Sequence, residues 1–487
     1  MYRLLVLAGL LLGTLSLSAN NIRVSNVDLT NLDAAANQTT IQFDLNWDNS
    51  WRISSGPANY DAAWVFAKYR VAGGNWTHAI LAPGATATTQ GDATVRLTPD
   101  GMGAMIYRSA DGSGNIDYND LELVWNFGNL DASDVIDLQV FAVEMVYVPE
   151  GSFSLGGTVG TEENKFHSGG FSTSSSYRVN SENSITIGNS GGNLYYVGDN
   201  SGGGDQTGTL GATYPKGFAA FYCMKYEISE GQWVGFFNTL TDAQKPNNDI
   251  TASTGKNSDG TVSRNTISYT SGNATSSAPD RAMSYMSAGQ LNAYLDWSGL
   301  RPMTELEYEK AARGPGTPIA GEFAWGTSSI FANDYTLINS GFSSERPSNA
   351  GQNIGNASYS DTHGSINGPI RVGAFAASFA AGSRQETGGS FYGIMELSGN
   401  LYERCVTVGT PRGRSFTGVH GNGIISSTGN GTAINYPNNA TGDGYSYRGG
   451  SWLNGSDFLR VSDRYDGASV ISSGNNRLGG RGVRSDF

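Results

Sequence analysis

From Ile22 to about Glu144 the chain alternates apolar and polar positions with a period of two. Ile41, Phe43, Leu45 and Trp47 are separated by Gln42, Asp44 and Asn46, and Ile136, Leu138, Val140 and Ala142 alternate with Asp137, Gln139 and Phe141. Successive side chains of a strand face opposite sides of a sheet, so this pattern predicts half-buried antiparallel strands. Further strands are expected at 64–71, 104–108 and 121–125, divided by turn clusters such as GDA and DGSGN. An N-terminal all-β sandwich over residues 20–144 is the expectation.

At MVYVPEGSFSLGG, residues 145–157, the pattern changes. A long Gly/Ser/Asn stretch over about 156–213 follows, in which NSITIG and NLYYVG read as short strands. A second polar insertion covers about 247–278. Three helices are expected around these insertions. Ser229 is followed three residues later by Gln232, Ser287 by Gln290 and Thr304 by Glu307, each a capping box. The apolar stripes that follow, Trp233, Phe236, Phe237 and Leu240 in the first helix and Leu291, Tyr294 and Leu295 in the second, read as core faces. The third helix is expected to end at Gly314. Beyond it the chain returns to turns and short strands.

Composition narrows the class. Charged residues are 15% of the 487 positions, glycine fills 67 and the net charge is −13. No basic run offers itself to phosphates, so nucleic acid is excluded as a partner. Arg3, the apolar run 4–17 and the small residues Ser18 and Ala19 have the form of an export signal over 1–19. No second apolar stretch reaches the roughly 20 residues of a membrane span. The expected location is therefore outside the cytoplasm, in a periplasm, at the cell surface or secreted. Cys223 and Cys405 are the two cysteines; an even count in an exported chain suggests a disulfide, and two separate buried thiols are the alternative.

Other candidate chemistry is sparse. DGSGNIDYNDLE places Asp111, Ser113, Asn115 and Glu122 at calcium-loop spacing, but Ile116 stands where such a loop turns on glycine, so a polar hairpin turn is expected. His78, His167, His363 and His420 form no short pair of the kind an iron site needs. No serine sits in a GxSxG elbow.

The pieces MVYVPEGSFSLGG, FYCMKYEISEGQW, LDWSGLRPMTELEYEKAARG, FAWG, VGAFA, YGIMELSGNLYER, YRGGSW and RGVR occur in this order. Together they resemble the formylglycine-generating enzymes, or sulfatase-modifying factors. The resemblance implies an α+β, loop-rich, C-type-lectin-like domain over 145–487. Active members oxidise a substrate cysteine with two cysteines that bind copper(I), a soft ion suited to thiolates. The matching positions here are Asn454 and Leu459, neither a copper(I) ligand, so the resemblance implies a member without that activity and without copper. It also implies a structural calcium ion held by the side chains of Glu396 and Glu403 and the carbonyls of Gly399 and Leu401. Hard oxygen ligands suit that ion; the competing reading pairs Glu403 with an arginine. A second, weaker calcium site falls near Asn349, Ala350, Asp361 and His363. Cys223 and Cys405 adjoin matched motifs, which favours a disulfide between them.

The remaining residues of the old cleft are Asn454, Asp457, Leu459 and Arg464. Arg448, Arg460, Arg464, Arg481 and Arg484 either hold an anionic ligand there or clamp loop carbonyls and carboxylates; the second reading is preferred. Trp452 is expected in the core. The functional expectation is a non-catalytic binding or structural protein whose polar insertions engage a protein, a glycan or a copy of the same chain, in the last case as a filament or sheath. An enzyme reusing the cleft through Asp457 and Asp463, or an accessory subunit of a surface or motility machine, are the alternatives.

Overall fold

The computed structural model describes residues 21–82, 91–197, 202–379 and 381–487. The expected export signal over 1–19 lies outside the described residues.

The strands expected from alternation are present. Gln38–Arg52 pairs antiparallel with Arg23–Asp33 on one side and Gly112–Asn126 on the other, forming a three-stranded sheet. The whole stretch expected as a polar hairpin turn after Asp111 lies in that last strand, with Ser113 opposite Trp51 and Asp117 opposite Asn46. Cross-strand pairing satisfies its backbone, and Asp111 accepts from Ser54 N and Oγ at 3.0 and 2.6 Å. The buried face of this sheet, including Phe43, Trp47, Leu121 and Trp125, packs in one cluster with Val65, Ala104 and Ile106 of a second, larger sheet.

The larger sheet has eight strands and carries the chain across the expected boundary. Its order is Arg301–Pro302, Gly482–Ser485, Phe221–Met224, Ile136–Val148, Asp61–Val71, Ala104–Arg108 and Ala93–Leu97, with Thr77–His78 beside Asp61–Val71. Residue 144 falls inside Ile136–Val148. One edge of that strand pairs with Asp61–Val71 from Ile136 to Val146, and its other edge pairs with Phe221–Met224. The N-terminal strands and the later part thus share one hydrogen-bonded ladder. Packing repeats the join: Trp297 meets Phe66 and Phe141 edge to face at 5.1 and 4.8 Å, and Trp64 Nε1 donates to Ser298 O at 2.8 Å.

The three capped helices are Glu230–Phe237, Ala288–Trp297 and Glu305–Arg313, each with its capping box formed. Trp233, Phe236 and Tyr294 are buried as expected. The last helix ends on Gly314 at φ 75°.

The first polar insertion is not a surface ornament. It folds into a four-stranded sheet of Phe166–Ser168, Leu194–Tyr196, Ile185–Ile187 and Gly208–Leu210. Phe166, Ile185, Ile187, Leu194, Tyr196 and Leu210 are buried in the main core. Its composition is polar, yet the apolar minority recurs at every second position and lands on one face.

Because Ile136–Val148 is the seam, the fragment 137–487 is expected to be less stable than the full chain, since it exposes an unpaired, apolar strand edge. Thermal melts and light scattering of the two proteins would test this. Equal melting temperatures and a monodisperse fragment would show that the two parts fold independently.

Candidate functional site

Two of the motifs that carry the resemblance pack against each other. Glu403–Val406 and Tyr445–Arg448 form a two-stranded ladder with Glu403 opposite Arg448. Beyond it Gly399 N donates to Gly449 O and Trp452 N to Asn400 O, both at 2.8 Å. Glycine is required where these loops touch. At Gly399, φ 93°, a Cβ would lie 2.6 Å from Ser358 O, and at Gly450, φ 66°, it would lie 2.5 Å from a methyl of Leu459.

Near this contact three buried carboxylates act on one another's charge without converging as a ligand group. Glu396, held at φ 54°, accepts from Gly373 N at 2.9 Å through Oε1, and its Oε2 has no protein partner. Glu403 accepts from Arg481 Nε at 2.5 Å through Oε1, and its Oε2 is likewise unpartnered. Glu227, which the sequence reading did not single out, accepts from Asn400 Nδ2 at 2.5 Å and from Leu401 N at 2.8 Å. Burial pushes Glu396 up to about 7. Burial, then the charges of Glu403 and Glu396, push Glu227 well above the carboxylate range. Burial also raises Glu403, although Arg481 pulls the other way.

Two buried carboxylate oxygens without donors are costly unless a proton or a cation meets them. The raised pKa values of Glu396 and Glu403 let a proton meet them, and as hard oxygens they are also the kind of donor that a cation such as calcium takes. The competing arginine pairing of Glu403 is also present, but it occupies only one of the two oxygens. No three His, Cys, Asp or Glu side chains converge as a ligand group among the described residues, so an ion here would depend on the carbonyls of Gly399 and Leu401.

Two residues of the second expected metal site, Asn349 and His363, are engaged with protein. Asn349 Oδ1 accepts from Thr336 N and its Nδ2 donates to Asp334 O. His363 faces Ser358 Oγ through Nδ1 and Gly368 through Nε2, and stacks on Trp452. Asp361 is exposed and accepts from Ser360 Oγ, and Ala350 is half-buried.

The cleft residues have separate partners. Leu459 is sealed among Phe323, Trp325, Ala357 and Tyr359. Asn454 accepts from Ser451 Oγ at 2.5 Å. Asp457 is exposed and pairs with Arg460. Arg464 faces the interior: its Nε and Nη2 donate to Glu305 at 2.8 and 3.0 Å. Asp463 is buried, accepting from Glu163 N and Tyr465 N at 3.2 Å, and burial pushes it up to about 7. It does not face Asp457 as a second acid.

The disulfide is not formed. Cys223 and Cys405 are free, buried thiols in one apolar cluster, on strands of different sheets. Burial pushes Cys223 up to about 12 and raises Cys405 well above its usual range.

The arginines act as clamps. Arg448 donates to Glu305 at 3.1 Å, to Glu309 at 2.9 Å and to Val461 O at 2.6 Å. Arg481 reaches Met224 O and Met395 O besides Glu403. Arg484 binds Gly299 O and, across the seam, Asp100 at 2.5 Å. Arg460 reaches Thr161 Oγ1 at 2.7 Å. Trp452 is buried, its Nε1 donating to Asn476 O. No helix among the described residues is long and apolar enough to cross a membrane.

A family model described as the sulfatase-modifying factor enzyme 1-like domain matches residues 137–485. No curated protein matches the chain. Among solved structures, a group B streptococcus pilus 2b backbone protein is similar at 11% identity over 41% of this chain and 82% of that one, with a TM-score of 0.11; a likeness of that size carries no argument.

Burial alone would raise Glu305, but Arg464 and Arg448 outweigh it and hold its carboxyl below the usual value. Glu305→Gln leaves two buried guanidinium groups short of charge and is expected to cost about 3–5 kcal/mol at neutral pH, read by urea denaturation. A cost under about 1 kcal/mol would show the network to be incidental. Asp463 behaves in the opposite sense. Its folded pKa lies above the ordinary value, so the native state holds an extra proton and the group's contribution to stability falls as pH rises from about 4 to about 7. Asp463→Asn should flatten this part of the stability–pH curve, and an unchanged slope would contradict the assignment.

Proposed function

This chain belongs to the sulfatase-modifying factor family over residues 137–485, and on that premise we propose that it is an exported, non-catalytic member, a binding or structural protein on that scaffold. The fold reading that goes with it is an N-terminal sandwich fused by a shared strand to a C-type-lectin-like domain. One observation carries the proposal. The two thiols of the chain lie in a sealed apolar cluster, and burial raises the pKa of both well above neutral pH, so neither forms a thiolate there. A cysteine that attacks or binds copper(I) must be a thiolate within reach of substrate. At the positions matching the family's cysteines, Asn454 is tied to Ser451 and Leu459 is packed in aromatic rings.

The scaffold is left with the task of holding loops, and a structural calcium ion fits that task. Glu396 and Glu403 would hold it together with the carbonyls of Gly399 and Leu401. The ion would supply the positive charge that their unpartnered oxygens require. Glu227 holds Asn400 and Leu401 in place through their N–H groups, which fixes where the neighbouring carbonyls face. Self-association into filaments or sheaths remains part of the reading, supported by a composition low in charge and rich in Gly, Ser, Thr and Asn.

The purified full chain is expected to leave a cysteine-containing peptide unchanged when copper(I) and oxygen are supplied, as read by mass spectrometry. Conversion of the cysteine to an aldehyde would overturn the proposal. Calcium should raise the melting temperature, with a stabilisation of about 2.7 kcal/mol at a hundredfold excess over Kd. Glu403→Gln and Glu396→Gln should each abolish the rise. An unchanged melting temperature with calcium would reject the ion while leaving the non-catalytic reading intact. Light scattering with and without calcium would separate a monomeric binder from a polymer subunit.

A further inference from the structure

The second polar insertion and the 340–342 turn border a shallow, open depression of about 370 Å³. Its wall includes Thr261, Arg264, Ser277, Arg281, Ser340 and Phe342. It shares no residue with the carboxylate cluster or the old cleft.

Two guanidinium groups converge here on one buried carboxylate. Arg264 Nη2 and Arg281 Nη2 donate to Glu345 Oε2 at 2.7 and 3.2 Å. The same oxygen accepts from Gly341 N at 2.7 Å, and Oε1 accepts from Arg371 N at 3.0 Å. Glu345 therefore fixes both forks in place. Arg264 also donates through Nε to Pro369 O at 3.0 Å and through Nη1 to Ser340 Oγ at 3.3 Å, so each of its nitrogens holds one protein partner and only the second protons of Nη1 and Nη2 are left for a ligand. Arg281 Nη1 donates to Arg264 O, and its buried Nε has no protein partner. The nearby acid Glu230 is occupied by Thr266 and Ser276. Ser263 and Arg264 are both held at positive φ, 43° and 63°. That conformation is unfavourable for residues with side chains and is found where a loop is shaped for a ligand. Two guanidinium groups against the one carboxylate of Glu345 leave this wall with an excess of positive charge in a chain of net charge −13, which favours an anion.

The rest of the lining narrows the anion. Thr261, Ser277 and Ser340 carry hydroxyls that both donate and accept, as sugar hydroxyls do. Phe342 stands 71% exposed, an aromatic face for the apolar side of a ring. None of the lining residues belongs to a named strand, so there is no ladder onto which an extended peptide could add.

We infer that this pocket binds an acidic sugar, a uronic acid unit of a polysaccharide. Its carboxylate lies against Arg264 and Arg281, its hydroxyls against the Ser and Thr rim, and its ring against Phe342. The inference rests on the binding reading above and names the ligand class for it.

Isothermal titration calorimetry on the full chain tests it, with glucuronate and a short oligogalacturonate as ligands. Glucose, an acetylated aspartyl peptide and sodium sulfate serve as comparisons. The acidic sugars are expected to bind and the comparisons to bind at least about tenfold more weakly, the scale of a charged hydrogen bond. Arg281→Lys should weaken the acidic sugars about tenfold by removing the planar fork. Phe342→Ala, at an exposed position where folding is not at stake, should weaken them several-fold with an unchanged melting temperature. Equal affinity for glucose or sulfate, binding of the acidic peptide alone, binding of none of them, or no effect of Phe342→Ala would each overturn the inference. None of these results bears on cysteine oxidation, so the inference can fail while the non-catalytic reading stands; peptide turnover would sink that reading separately.

Discussion

Three glutamates on one nine-residue helix carry their charge into the dry interior, and the surrounding loops are arranged to meet them. Glu305 receives Arg464 and Arg448, the hydroxyl of Thr407 and the amide of Val408. Glu307 takes Arg301 through two parallel bonds at 2.6 and 2.9 Å. Glu309 takes Arg448, Arg313 and the amide of Gly156. Arg313 in turn binds Glu322 and Ser154 O, and Arg464 binds Asn164 O. Ions taken out of water cost several kcal/mol each unless every lone pair and proton is met. This requirement binds the first insertion, the 407–408 turn and the closing arginine segment to a single helix.

Such a device suits a chain with few long regular elements after residue 148. Loop backbones need hydrogen-bond partners as much as strands do, and arginine supplies several donors in a fixed fork. Arg481 and Arg484 extend the same logic to the sheet, where Arg484 ties the last strand to Asp100 of the N-terminal part. The shared strand Ile136–Val148 supplies the other half of that union. The candidate cation cluster sits where the clamps are incomplete, with Arg481 on Glu403 and the charge of Arg371 felt at Glu396, against three carboxylates. The arginine pocket is the converse arrangement, with two guanidinium groups around Glu345.

Much of this was legible in the sequence, for local reasons. Capping boxes at Ser229, Ser287 and Thr304 are contacts within one turn, so the spacing alone placed all three helices. Alternation placed the strands at 41–47 and 104–108. The strand Arg23–Asp33 was hidden, because its ladder slips between Ser25 and Asp28 and again between Thr30 and Asp33, which breaks the period of two. Glu396 and Glu403 were visible through a motif. Glu227 was not, since it joins them from a distant strand end and nothing local marks it as a partner.

The sequence by itself determined the family, the helices and most strands, because these are properties of residue identity and of neighbours along the chain. Only the tertiary structure decided that Arg464 turns inward to Glu305, that the two cysteines are free thiols buried in one cluster, and that Arg264 and Arg281 meet on Glu345. Each depends on which distant segments are brought together, and the cost of leaving a buried charge or donor unmet, summed over the whole fold, selects that arrangement.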